Sequence, residues 1–153
     1  MATPEERLAE LGLSVPEVVP PVAAYVPALR TGSYVYTAGQ VPLRDGKPVA
    51  TGKVGAEVTP EVAYECAQQC ALNAIAALAT QVDNLSQVVR IVKVVAFVAS
   101  APDFTGQPGV ANGASEFFGK VFGDAGVHAR SAVGVAALPL DVPVEVELIA
   151  EVR

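Results

Sequence analysis

The stretch HARSAVGVAALPLDVPVEVELIAEV, residues 128–152, decides how this chain is read. It is built from small and β-branched residues and broken at Leu138-Pro139, so it reads as two strands, at about 130–137 and 143–152. In the first, alternation puts Arg130, Ala132, Gly134 and Ala136 on one face and Ser131, Val133, Val135 and Ala137 on the other. A guanidinium above alanine and glycine has open space before its fork of donors, the arrangement that holds a carboxylate by two parallel hydrogen bonds. The alternative is a surface or inter-subunit salt bridge. In the second strand Glu145 and Glu147 share a face with Ile149 and Glu151, opposite Val144, Val146 and Leu148. That face is either solvated, the lining of a barrel, or the wall of a site. A simple hairpin about Leu140 would leave Arg130 and Glu145 about 17 Å out of register, too far to serve one small ligand.

The rest of the chain constrains these readings. At 153 residues it is the size of one domain, and its 52% hydrophobic content and mean hydropathy of +0.42 lie on the apolar side for a protein in water. No run approaches the roughly 20 uncharged residues needed to cross a bilayer, and the most apolar strand carries Arg90 and Lys93. Burial against identical subunits is the expected outlet for the apolar excess. The start, MATPEERLAELGL, is acidic and amphipathic and lacks the form of a secretion signal, which points to the cytoplasm. Ten Lys and Arg against 16 Asp and Glu give a net charge of −6, and the basic residues are scattered, so nucleic acid is a poor partner. Cys66 and Cys70 fall on one helix face, but one histidine and two cysteines do not make a zinc site; they read as buried thiols without a role, and no metal is expected.

The elements alternate. Residues 4–11 read as a short helix within an N-terminal extension, 1–20, and 14–22 as an irregular connection; a single domain occupies 21–153. AAYVPAL (23–29) and SYVYTAGQVPL (33–43) read as strands, with a turn at Asp45-Gly46 and a third short strand near 48–51. Thr59 caps a helix of about six turns opened by Pro60. Its inner face holds Ala63, Cys66, Ala67, Cys70, Ala71, Ala74, Ile75 and Leu78, and its outer face Glu61, Glu65, Gln68, Gln69 and Asn73. A long β-branched strand, QVVRIVKVVAFVAS, a Gly- and Pro-bearing loop and a helix at roughly 110–122 follow, giving β-β-β-α-β-α-β-β in all.

The segments SYVYTAGQVP, the Phe117-Phe118 helix, ARSAVGVAALP and VEVELIAEV, in that order and spacing, resemble the RidA family, also called YjgF, the reactive intermediate imine deaminases. The similarity covers about residues 20–153, and the arginine, Val-x-Val, Leu-Pro and Glu-x-Glu run is its most specific part. The N-terminal segment is longer than in short members, and Ala132 stands where the best-known members often carry cysteine. The resemblance implies an α+β, chorismate-mutase-like fold, a mixed sheet packed by two helices, and a homotrimer whose sheets form a central barrel with clefts between subunits. Its last two strands are not sheet neighbours, and a second subunit completes each cleft. It further implies hydrolysis of reactive enamines and imines of the 2-aminoacrylate type to 2-keto acids and ammonia, with no cofactor, the ligand being a small carboxylate-bearing imine or keto acid.

Carried over residue by residue, the resemblance gives Arg130 the substrate carboxylate and Glu145 the attacking water, leaving Glu147 structural. A carboxylate can take water's proton as the C=N carbon is attacked, and partial burial would raise its pKa toward a useful value. Tyr25 corresponds to the family's site tyrosine, with a half-buried interface tyrosine as the alternative. Gly39 matches the glycine whose backbone lines the pocket, or else marks a strand bulge. Asn112 stands near a site asparagine, or else caps the Phe-Phe helix. His128 shares Arg130's strand parity but reads as a bystander. A non-catalytic trimeric binder of small carboxylic metabolites is the alternative function; the ribonuclease activity ascribed to the family conflicts with the acidic charge.

Overall fold

The computed structural model describes residues 1–21 and 23–153. A helix α1 (Pro4–Glu10) precedes strands β1 (Ala28–Thr31) and β2 (Tyr34–Thr37) and a small hairpin, β3 (Leu43–Arg44) with β4 (Lys47–Pro48). Helix α2 (Pro60–Ala79), strand β5 (Val88–Ala99), helix α3 (Gln107–Phe122) and strands β6 (Ala129–Val135) and β7 (Val144–Val152) complete the α+β chain. Five strands form one mixed sheet in the order β1-β2-β7-β5-β6, in which only the β5–β6 pair is parallel. A parallel pair needs a crossover, and α3 supplies it. The last two strands are therefore not a hairpin: β5 lies between them.

Alternation along β7 is complete. Val144, Val146, Leu148, Ala150 and Val152 are buried on the face that α2 covers, while Glu145, Glu147, Ile149 and Glu151 lie on the uncovered face. That face also carries Leu29, Tyr36 and Val133, each exposed, so apolar surface is left open there.

Helix α2 begins as its sequence dictates, the Thr59 hydroxyl accepting from the Val62 N–H (3.2 Å) with Pro60 in the first turn. Its outer face differs from expectation. Gln69 and Asn73 are buried, because the β3–β4 hairpin covers them and supplies partners. Arg44 Nε donates to Gln69 Oε1 (3.0 Å), Gln69 Nε2 to Asn73 Oδ1 (3.0 Å), and Asn73 Nδ2 to the carbonyls of Val41 and Leu43 (3.0 Å each). Burial without these bonds would cost each amide its hydration. Cys66 and Cys70 are buried on the inner face; loss of solvent pushes the Cys66 thiol up to about 11 and the Cys70 thiol well above its ordinary value.

Other boundaries move for local reasons. Residues 23–27 are irregular rather than strand, and β1 starts at Ala28, so Tyr25 is not on a strand. The connection at 14–22 is irregular over 14–21, and its last residue lies outside the described ones. The third strand near 48–51 is replaced by the hairpin of β3 and β4. Helix α3 starts at Gln107, which places Asn112 inside the helix and rules out a capping role. The pairing of β2 with β7 breaks after Tyr36–Ile149 and resumes at Gln40–Val146 with one residue more on the β2 side, a bulge over Thr37, Ala38 and Gly39. The Thr37 hydroxyl accepts the Leu148 N–H (3.0 Å) that the bulge frees.

The two helices meet closely at Gly113, where an added Cβ would collide with the Tyr64 carbonyl oxygen and lie 3.0 Å from Ala67 Cβ. Backbone cannot give way as a side-chain tip can, so Gly113→Ala is expected to cost about 1–3 kcal/mol, read as a lowered urea midpoint at unchanged m-value.

Candidate functional site

Two groups of residues gather on opposite sides of the sheet. The first is a cavity of about 320 Å³ that holds Tyr25, Gly39 and Glu145, three of the five residues singled out above. Glu145 projects from the uncovered face of β7, and the bulge swings Gly39 across it so closely that a Cβ there would collide with Glu145 Oε1. The glycine thus makes room for the carboxylate itself. Burial raises the Glu145 pKa above its ordinary value, with Glu147 on the same strand face adding repulsion. Tyr25 stands at the cavity's edge, about half exposed, and Val19, Pro20, Pro21, Val41 and Leu140 give it apolar walls.

The second group surrounds Arg130 on β6. Its Nη1 donates to Asn112 Oδ1 (2.8 Å) and Ser115 Oγ (3.1 Å), and its Nη2 to the Pro108 carbonyl (3.3 Å). All three acceptors are neutral, so the cation is oriented without being neutralised. Asn112 and Ser115 sit three apart on α3, one helix face. Ser115 was not singled out from the sequence, although that spacing from Asn112 was the available signal. His128 also joins this group: Nδ1 lies 2.6 Å from the Gly126 carbonyl and Nε2 2.9 Å from Ser115 Oγ. The carbonyl requires an N–H at Nδ1, which leaves Nε2 to accept from the Ser115 hydroxyl while Ser115 accepts from Arg130. Burial holds the imidazole below its usual pKa, against the pull of the Gly126 carbonyl and with a push from Arg130, and so favours this neutral form.

Arg130 and Glu145 do not meet within one chain. Arg130 pairs across to Val94 and Leu148, on the helix-covered side, whereas Glu145 pairs with Phe97 and Val133, on the uncovered side. Three residues along the strands and two strand spacings across put them about 10 Å apart in each direction, facing opposite ways. The separation is one of face as well as register. A larger cavity, about 590 Å³, lies between the start of α2 and residues 104–110, but its charged side chains are Glu61 and Glu65, which repel an anion. Among the described residues no cluster of metal-ligating side chains is found, and no helix is long and apolar enough to cross a membrane.

The chain is thus a small α+β protein with a helix-backed mixed sheet, an arginine held by neutral groups on the covered side and a half-buried carboxylate on the open one. The family model described as "Endoribonuclease L-PSP" matches residues 16–152, and the chain belongs to that family, the YjgF/RidA family. It is 39% identical over 148 residues to Protein TCP17 of Trypanosoma cruzi, covering 96% of this chain and 92% of that protein. It is 34% identical over 137 residues to the 2-iminobutanoate/2-iminopropanoate deaminase of Dermatophagoides farinae, covering 90% and 92%. A crystal structure of an Agrobacterium tumefaciens protein of unknown function superposes with a TM-score of 0.92 at 40% identity, over 99% of this chain and 94% of that one.

A carboxyl whose pKa is raised on folding stabilises the fold fully below its unfolded value, near 4.5, and that contribution is lost as pH rises through the folded value. Glu145→Gln is therefore expected to be more stable than the parent at pH 7.5, with the gap closing toward pH 4.5. Urea unfolding of both proteins across that range checks it.

Proposed function

We propose that the chain hydrolyses 2-imino acids of the 2-aminoacrylate type to 2-keto acids and ammonia, in clefts formed between copies of itself. One observation carries this reading: a cation whose partners among the described residues are neutral and a carboxylate of raised pKa occupy opposite faces of one sheet. A second copy can bring an Arg130 against a Glu145. The homotrimer implied by the sequence resemblance is such an arrangement, and the exposed Leu29, Tyr36 and Val133 supply apolar surface for it. The deaminase name of the mite relative supports the same chemistry, and a cytoplasmic setting belongs to the proposal.

In this mechanism Arg130 of one copy takes the substrate carboxylate by two parallel bonds, with Asn112, Ser115 and His128 fixing its direction. An enamine first tautomerises to the imine. The imine then lies along Gly39 and Tyr25 of the other copy, and water held by Glu145 attacks its carbon. Glu145 accepts one water proton and returns it to nitrogen, giving a carbinolamine; it then passes the hydroxyl proton to the amine as the C–N bond breaks, so that ammonia leaves and the carbonyl forms. Such imines hydrolyse in water unaided, so positioning supplies much of the rate. No step calls for a cofactor. The net charge of −6 weighs against the ribonuclease activity in the family's description.

The test is ammonia or keto-acid release from enzymatically generated 2-aminoacrylate. Arg130→Ala and Glu145→Gln, each with verified fold and assembly, are expected to lose about 100-fold or more of the acceleration, with Glu145→Gln still binding ligand. Subunits of the two variants mixed one to one and reassembled should recover about a quarter of the parent sites, since only an interface taking its good half from each is whole. No acceleration by the parent protein, with keto-acid binding intact, would instead make it a binder of small carboxylates.

A further inference from the structure

We infer that the imines taken by the Glu145 cavity carry a bulky apolar side chain, branched aliphatic or aromatic, held between the N-terminal segment Val19–Pro21 and Leu140. This rests on the hydrolase reading above and names its substrate class.

The composition of the cavity comes first. Among the described residues, only Tyr25, Gln40 and Glu145 bring polar side chains to its lining, and Glu145 is the one charged residue among them. Gln40 is buried and its Nε2 donates to the Ala38 carbonyl (3.2 Å), so part of its polarity is already spent inside the protein. A substrate needs its carboxylate and its reacting C=N near polar groups; what remains of the 320 Å³ is apolar wall. A charged or strongly polar side chain would lose hydration there without finding a partner.

The wall nearest the N-terminus is fixed in place. Helix α1 opens with a reciprocal cap between Thr3 and Glu6, buries Leu8 completely, and is tied to the turn that precedes β5 by Glu5, whose Oε1 accepts the Leu85 N–H (2.7 Å). From there Leu13 N–H bonds back to the Leu8 carbonyl (2.9 Å), and Val15 and Val18 pack on the core. Pro16, Pro20 and Pro21 restrict the backbone between those anchors and the cavity. The extension is therefore part of the cavity's wall rather than a tail beside it.

The opposite wall is strained. Leu140 and Asp141 both have left-handed backbone, φ 60° and 56°, where glycine or asparagine is the ordinary choice. The turn is held by Asp141 N–H to Leu138 O (3.1 Å) and by Gly52 N–H to Asp141 O (2.7 Å). A leucine in a conformation that disfavours it, 60% exposed at the cavity, gains nothing from burial in its own fold. Contact with a substrate's apolar side chain accounts for it. The reaction class that supplies such substrates is oxidation of the α-amine of hydrophobic amino acids.

The test generates imines from leucine, phenylalanine and alanine with an amino-acid oxidase and compares kcat/KM. The leucine- and phenylalanine-derived imines are expected to exceed the alanine-derived one by at least about tenfold. Leu140→Gly should lower that ratio severalfold without lowering the urea midpoint, because glycine adopts the same φ freely. Val19→Ser should lower it too, by acting on the other wall. Calorimetry with 4-methyl-2-oxopentanoate and pyruvate reads the same preference without turnover. Absence of turnover on every imine would sink the hydrolase reading alone, and the affinity ratio would still decide the cavity's preference. A ratio near one in both measurements, or one that neither variant moves, would overturn the inference.

Discussion

The parallel pairing of β5 with β6 is the constraint on which the rest of the molecule depends. Parallel neighbours cannot be joined by a tight turn, so the chain must cross back over one face, and α3 is the crossing element. It buries that face and brings Asn112 and Ser115 onto Arg130. The same choice places β5 between β6 and β7, so the arginine and the Glu-x-Glu strand, close in sequence, end on opposite sides of a shared sheet. The division of the polar site is thus a property of the topology.

Much of this was legible in the sequence, for identifiable reasons. The strict alternation of β7 and the Thr59-Pro60 start of α2 are local signals that no distant contact opposes. The edges of β1 and β2 were less legible, because prolines interrupt the first and the bulge at Thr37–Gly39 shifts the phase of the second. Gln69 and Asn73 are solvent-facing by type, yet a segment some thirty residues away satisfies them, Arg44 Nε bonding Gln69 and the Val41 and Leu43 carbonyls bonding Asn73. Among the site candidates, Tyr25, Gly39 and Glu145 share one cavity and Arg130 and Asn112 one hydrogen-bonded group. The opposed faces of Arg130 and Glu145 could not be read from parity within either strand, since that relation exists only once the intervening strand is known.

The electrostatics follow the same division. Glu145 is buried enough to resist ionisation and has Glu147 beside it, while the Arg130 guanidinium donates to neutral oxygens of Asn112, Ser115 and Pro108. Left alone, each half is a small electrostatic cost to the chain. In the proposed assembly, opposed across an interface with an anionic ligand between them, they would become complementary.

The two cysteines acquire significance beside such chemistry. Dehydroamino acids are electrophiles toward sulfur, and a thiolate is the form that adds to them. Cys66 and Cys70 lie against the sheet, the Cys70 S–H donates to the Val144 carbonyl (3.5 Å), and both groups are held as thiols far from their ionised form. Residue 132, two beyond the arginine, is alanine. Among the described residues the protein thus presents no cysteine thiol to solvent, so under the proposed function its sulfhydryls would be shielded from the electrophiles it handles.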